Sequence, residues 1–307
     1  MLSTHPFEVP QSLMDKARAL PPVAMAVAGA DHPVALESAR QASDEGLIIP
    51  TLVGNKYDIH KIADDMGWDI SDVRIVDSKP EDHAADAAVQ LASANEVQAL
   101  MKGQLHTDAI MRAVVQRDAG LRTDRRISHV FHMTVPGSDQ ALMISDAAVN
   151  VAPNESTLMH IVLNAVDLAH ALGYETPKVA MLSGSESVIE SMPSTLLARQ
   201  IVERANSGEV ENAHVDGPFA FDNAVSPDAA RMKGIGGPVA GQADILAVPN
   251  IEMGNGLFKM LVYFRSALAA GVVLGAKVPV VLTSRADPPE ARLAASAIAQ
   301  IRANYKG

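Results

Sequence analysis

Two α/β/α domains with mostly parallel sheets and a cleft between them are what this sequence predicts. Short β-branched runs alternate with helical stretches from the first apolar segment to the last, the mark of right-handed βαβ units. The apolar residues are aliphatic, with 4% aromatic against 48% hydrophobic overall, as expected where helices cover both faces of a sheet. A length of 307 residues suits two domains of ~150 residues each.

Residues 23–28 read as a strand, followed by a Gly-Ala-Asp-His-Pro turn and a helix ending near Gly46. Residues 47–53 form the next strand, and 57–66 a helix stopped by Gly67. Residues 73–76 are short and extended, 81–94 helical, 97–101 a strand and 108–116 a helix. After Gly120 the pattern changes: 127–135 and 141–144 read as strands joined tightly through Pro136-Gly137-Ser138-Asp139, hence antiparallel. This change places the domain boundary, with 1–134 and 285–307 in one domain and 135–284 in the other. Helical spacing of Leu158, Ile161, Val162, Ala165 and Leu168 marks a helix over 154–172, ended by Gly173. Residues 179–182 form a strand and 193–205 a helix. Strands at 244–248 and 278–283 flank a long apolar helix over 256–274, and a last helix spans 289–304.

A net charge of −11 repels phosphodiester backbones, which argues against a nucleic-acid partner. The absence of cysteine excludes disulfides, thiolate metal sites and a cysteine nucleophile. No apolar run reaches the ~18 residues of a membrane span, so no membrane partner is expected. The N-terminal stretch lacks the basic-then-apolar pattern of a signal peptide, and a cytoplasmic location is expected.

Several motifs fail. Val239 stands where Gly234-Ile235-Gly236-Gly237 would need a third glycine for dinucleotide binding, and residues 271–277 match a phosphate loop only loosely. His129 and His132, three apart on a strand, point to opposite faces and make poor co-ligands.

Four constellations remain. Thr283-Ser284-Arg285-Ala286-Asp287-Pro288-Pro289-Glu290 follows an apolar strand and enters a helix, a place that attracts anions, with Arg as an oxyanion clamp. The structural alternative is a capping Ser or Asp beside a solvated Arg. Gln104-Leu105-His106-Thr107-Asp108 leads into a helix bearing Arg112, and Thr107 or Asp108 also suits an N-cap. Asp216-Gly217-Pro218-Phe219-Ala220-Phe221-Asp222 ends a strand in a rigid turn, for which a structural loop is the simpler reading. Pro249 to Lys259 carries Gly254-Asn255 into an apolar helix, where a lone lysine is more often a snorkelling surface residue than a ligand.

In order and spacing these segments resemble the phosphate acetyl/butyryltransferases, or phosphotransacylases. The family's D-G-P-x-x-x-D, P-x-x-x-x-G-N-x-x-x-K and closing S-R match residues 216–222, 249–259 and Ser284-Arg285; residues 144–154 and 181–184 are also similar. The resemblance covers about residues 23–301 and implies a phosphotransacylase or isocitrate-dehydrogenase-like fold. It further implies reversible acyl transfer between coenzyme A and inorganic phosphate, with acyl-CoA and acyl phosphate as substrates. No metal and no permanently bound cofactor are implied, and the assembly implied is a homodimer.

The family's catalytic serine maps onto Ser284, its neighbouring arginine onto Arg285 and a helical arginine onto Arg112; Thr107, Asn255 and Lys259 join the substrate-binding set. The chemistry suits these types. A thiol of pKa ~8.5 needs a base near the sulfur, arginines hold the phosphate, and a serine hydroxyl stabilises the oxyanion without a covalent acyl-enzyme. The acetyltransferase branch places its base aspartate seven residues after the serine, where this chain has Ala291; Asp287 is the preferred substitute and Glu290 the other. That branch also carries an arginine upstream of the His-Thr segment, and none lies between Arg74 and Arg112 here. Both departures resemble the butyryltransferase branch, leaving acetyl and butyryl open. The alternatives are a metal- and nicotinamide-dependent decarboxylating dehydrogenase of related fold and a catalytically silent regulatory subunit.

Overall fold

The computed structural model describes residues 2–78, 81–138, 140–283 and 287–306. In chain order its elements are α1 (Gln11–Arg18), β1 (Val23–Ala28), α2 (Pro33–Asp44), β2 (Ile48–Gly54), α3 (Lys56–Asp65), β3 (Arg74–Asp77), α4 (Glu81–Ser93), β4 (Ala99–Lys102) and α5 (Thr107–Val115). There follow β5 (Ser128–Thr134), β6 (Ala141–Ser145), α6 (Glu155–Ala171), β7 (Lys178–Leu182), α7 (Pro193–Arg204), β8 (His214–Phe219), α8 (Phe221–Val225), α9 (Pro227–Met232) and β9 (Ile245–Ala247). The chain closes with α10 (Ile251–Arg265), β10 (Leu268–Leu274), β11 (Val280–Val281) and α11 (Pro289–Asn304).

Two compact units result. One comprises Phe7–Arg125 and Ala270–Lys306; the other comprises Arg126–Ala269 with the N-terminal segment up to Pro6. The crossings therefore fall elsewhere than the positions read from the sequence. The reason is strand pairing: β5 stays with its antiparallel partner β6, and β11 stays with β4, its parallel neighbour.

In the first unit the strand order is β3-β2-β1-β4-β11, all parallel, with β10 antiparallel to β11. Strand β1 has neighbours on both sides, and Met25, Ala26, Val27 and Ala28 are fully buried. This is why it reads as an unbroken apolar run rather than an alternating one. Helix α11 is buried around most of its circumference from Ala294 to Ile301, the pattern of a core helix. The amide of Gln300 donates to the carbonyls of Ala17 and Pro21, both at 3.0 Å, stitching α11 to the end of α1.

In the second unit the order is β5-β6-β9-β7-β8, parallel except for the predicted hairpin of β5 and β6. Its core gathers Phe131, Met133, Ile144, Leu182, Phe219 and Leu246. Asn154 caps α6 by accepting from the Thr157 N–H at 2.9 Å, and Asn250 caps α10 from the Met253 N–H at 2.9 Å.

The apolar stretch read as one helix over 256–274 divides into α10 and β10. Ser266 takes a left-handed conformation (φ 48°) and ends the helix without a glycine to announce it. Among the described residues, no helix is long and apolar enough to cross a membrane.

Candidate active site

Strands β4 and β11 run parallel and side by side. Their carboxyl ends share one edge of the first unit's sheet, the edge where open α/β sheets bind ligands. Past β4 the chain packs against the segment following β1: the N–H groups of Gly103 and Gln104 donate to the carbonyls of Ala28 and Gly29 at 2.8 and 2.9 Å. A Cβ on Gly103 would stand 2.4 Å from the Gly29 carbonyl oxygen, so this turn requires glycine.

Lys102, the last residue of β4, is 7% exposed. Its Nζ donates to the carbonyls of Gly103 and Leu105 at 3.3 and 3.2 Å. Arg292, in the first turn of α11, donates through Nε to Ser38 Oγ at 2.8 Å and through an Nη to the Asp287 carbonyl. Burial pulls the Arg292 pKa down, while the carboxylates of Asp287 and Glu290 act against that. A guanidinium stays charged through such shifts. With Ser38 and Thr283, these two cations line a small open cleft whose other walls include Val34 and Val281.

Among the residues singled out in the sequence, Ser284 and Arg285 lie outside the described residues. Asp287 stands two residues ahead of α11 and is half-buried, as is Glu290. Thr107 and Arg112 occupy α5, both exposed. His106, rather than Thr107 or Asp108, holds the N-cap position, because α5 begins at Thr107.

Asn255 and Lys259 belong to the second unit, on α10. There the loop after β6 is organised by Asp146, whose carboxylate accepts from the N–H groups of His129, Ala148, Val149 and Asn150 at 2.9–3.2 Å. The Asn150 side chain adds a fifth donor at 2.6 Å. Helix α10 closes on this loop at Gly254, where a Cβ would meet Ala147 Cβ at 2.8 Å. Next along, Asn255 Nδ2 donates to the Ala147 carbonyl at 3.5 Å. Lys259 is exposed, its ammonium 5.9 Å from the Phe258 ring centroid, a snorkelling geometry. His129 and His132 are both buried in β5, and the His129 ring meets Phe131 edge-on at 4.3 Å. Among the described residues, no group of three or more His, Asp or Glu side chains is arranged to hold a metal ion.

Against known proteins, the family model described as "Phosphate acetyl/butaryl transferase" matches residues 81–300. The chain belongs to the phosphate acetyl/butyryltransferase family. A phosphate acetyltransferase of Rhizobium meliloti is 46% identical over 292 residues, covering 95% of this chain and 92% of that protein. A phosphate butyryltransferase of Clostridium beijerinckii is 39% identical, covering 94% of this chain and 96% of that one. The crystal structure of a branched-chain phosphotransacylase from Enterococcus faecalis superposes with a TM-score of 0.80 at 31% identity, over 92% of this chain and 99% of that one.

Within this phosphate acetyl/butyryltransferase chain, motif reading passed over Ser38, Lys102 and Arg292. A signal existed for two of them. Lys102 is a charge ending the apolar run Ala99-Leu100-Met101, and Arg292 sits one residue past the vacated aspartate position. Ser38, inside an ordinary amphipathic helix, offers none.

Proposed function

We propose that this chain is a phosphate acyltransferase that moves an acetyl or butyryl group reversibly between CoA and inorganic phosphate, by direct attack in a ternary complex. The observation that carries the reading is 46% identity to a phosphate acetyltransferase across 95% of the chain. A butyryltransferase relative at 39% keeps both acyl groups in play. These relatives favour the transferase over a dehydrogenase or a silent subunit.

In the acyl-phosphate direction, the CoA thiolate attacks the carbonyl carbon, and the carbon–oxygen bond to phosphate breaks with its electron pair leaving on phosphate. Asp287, or Glu290 in its place, takes the thiol proton. Ser284 donates a hydrogen bond to the oxyanion, a contribution of about 3–4 kcal/mol in a water-poor site. Arg285 and Arg112 neutralise the departing phosphate. Thr107, Asn255 and Lys259 complete the contacts to substrate. No permanently bound cofactor is required, because CoA enters and leaves as substrate. The reading extends to a cytoplasmic homodimer, supported on the dimer side by Met260, Tyr263 and Phe264 exposed on α10.

The test is phosphate-dependent CoA release from acetyl-CoA and butyryl-CoA by wild type, Ser284→Ala and Arg285→Ala. Release lost by about tenfold or more in both variants, with thermal stability unchanged, is the expected result. Absence of release from both thioesters in wild type overturns the reading.

A further inference from the structure

We infer that the second unit carries a site for a small organic cation, bearing a guanidinium or a primary ammonium, in a groove along the outer edge of β8, with Asp216 as its anionic anchor. The site is independent of the transferase reading and uses none of the residues assigned to that reaction.

Strand β8 stands last in the strand order, so one side of it has no neighbouring strand. An open groove of about 240 Å³ lies there, bounded by Asn206 in the turn after α7, by residues 213–216 and by Pro238 and Val239. The ladder decides which backbone groups face it. The His214 N–H donates to the Pro177 carbonyl at 2.9 Å, toward β7. In a parallel ladder a residue directs its N–H and C=O to one side, and the next residue directs its pair to the other. Val215 therefore turns its N–H and carbonyl outward, toward the groove it lines.

Among the described residues that line this groove, Asp216 is the acidic one and none is Lys or Arg. Asp216 is half-buried, and its Oδ1 accepts from the N–H of its own neighbour Gly217 at 2.8 Å. Its Oδ2 lies toward Gly237, where a Cβ would come within 3.5 Å, so the bare glycine leaves space beside that oxygen. The basic side chains that flank the groove in sequence are engaged by other groups. Arg204 pairs with Glu155 at 3.1 Å and with Glu209. Lys233 pairs with Asp222 at 3.2 Å and with Glu186 at 3.6 Å, and Arg231 with Asp228. The Lys178 ammonium donates to the Gln242 side chain at 3.0 Å.

The chemistry of the occupant follows. A half-buried carboxylate beside Val215 and Val239, both buried, attracts an incoming cation more strongly than a fully solvated one does. A net charge of −11 favours cations at the surface and disfavours anions. A guanidinium with five N–H donors, or an ammonium with three, has enough to serve both Asp216 and the Val215 carbonyl. About 240 Å³ suits a small molecule, since drug-sized ligands occupy about 300 Å³ or more.

Calorimetric titration of the full chain with agmatine, putrescine and, as a neutral control, glycerol tests the site. At least one of the two cations is expected to bind, and glycerol is not. Asp216→Asn keeps an oxygen for the Gly217 N–H while removing the charge, and should weaken cation binding about tenfold or more. Asn206→Lys, on the exposed turn, brings a competing cation to the groove and should weaken binding about threefold or more. No heat from either cation up to about 10 mM in wild type overturns the inference. Wild-type affinity retained in Asp216→Asn also overturns it, since that is the mark of diffuse attraction to an acidic surface. Should Asp216→Asn fail to fold, the same reading of Asn206→Lys decides. Glycerol bound as tightly as the cations would overturn the assignment of a cation site.

Discussion

Asp146, following β6, and Lys102, ending β4, are both nearly inaccessible, at 2% and 7% exposure, yet their surroundings differ in kind. The Asp146 carboxylate is enclosed by five N–H donors from a single loop and the neighbouring strand. Helix α10 then seals that loop at Gly254. Lys102 instead borders an open cleft that a second cation, Arg292, also lines. Two strand ends of one chain thus hold nearly inaccessible ionisable side chains in different surroundings. A carboxylate saturated by N–H donors fixes a loop, whereas the Lys102 ammonium, donating to the Gly103 and Leu105 carbonyls, orders the turn at the end of its own strand. Burial alone does not distinguish the cases; what surrounds the charge does.

The comparison breaks most visibly at Asp146. Asp146→Ala would leave several buried N–H groups without an acceptor, each worth about 1–3 kcal/mol and less than additive together. The expected loss is about 3–5 kcal/mol of stability, read as a fall in Tm by scanning calorimetry. A fall of less than about 2 °C would mean that the loop is held by something other than this carboxylate.

How much of this was legible beforehand follows the range of the interactions. Strand β1 and helix α11 lie where the sequence put them, because an unbroken apolar run and a proline-led helix are local patterns. The β5–β6 hairpin was equally readable from its Pro-Gly connection. Strand β10 was not, since Leu268 to Leu274 continues the apolar character of α10 and the helix stops at a left-handed serine. The segments around residues 104–112, 249–259 and 283–290 stood out by composition and order. The approach of Arg292 to Ser38, and of both cations to one cleft, depends on how β4, β11, α2 and α11 stack, which no local pattern encodes.

Two glycines of α10 sharpen the comparison further. At Gly254, an added Cβ meets Ala147 Cβ at 2.8 Å and the Asp146 carbonyl oxygen at 2.9 Å, so helix or loop must shift. At Gly256, two residues on and nearly opposite on the helix, a Cβ meets nothing within 4 Å. Gly254→Ala should therefore cost about 1–3 kcal/mol by overpacking. Gly256→Ala should gain about 0.5–1 kcal/mol by lowering the backbone entropy of the unfolded chain. Parallel thermal melts of the two variants check this. Equal shifts of one sign would show that α10 does not close on the Asp146 loop as described.

The smallest effect belongs to Asp244, a carboxylate of the same unit that lies ahead of β9 and is only half-buried. Where Asp146 has five donors, Asp244 accepts from the Lys178 N–H at 2.8 Å. Burial pushes its pKa up more strongly than the Lys178 amide and ammonium pull it down, and its charge in turn helps raise Tyr174. The folded state therefore keeps this proton to higher pH than the unfolded chain does. Its contribution to stability falls as pH rises from about 3.9, the unfolded value, through the folded value, and is constant above. Asp244→Asn retains an oxygen for the Lys178 N–H and removes the titration. The variant should match wild type in acid and exceed it near neutrality by about a few tenths of a kcal/mol, given solvent screening of a half-buried group. Urea unfolding at a series of pH values measures the difference. A variant less stable than wild type at neutral pH would mean that one amide suffices to make a buried carboxylate favourable, and the contrast with Asp146 would then lie in number of donors rather than in sign.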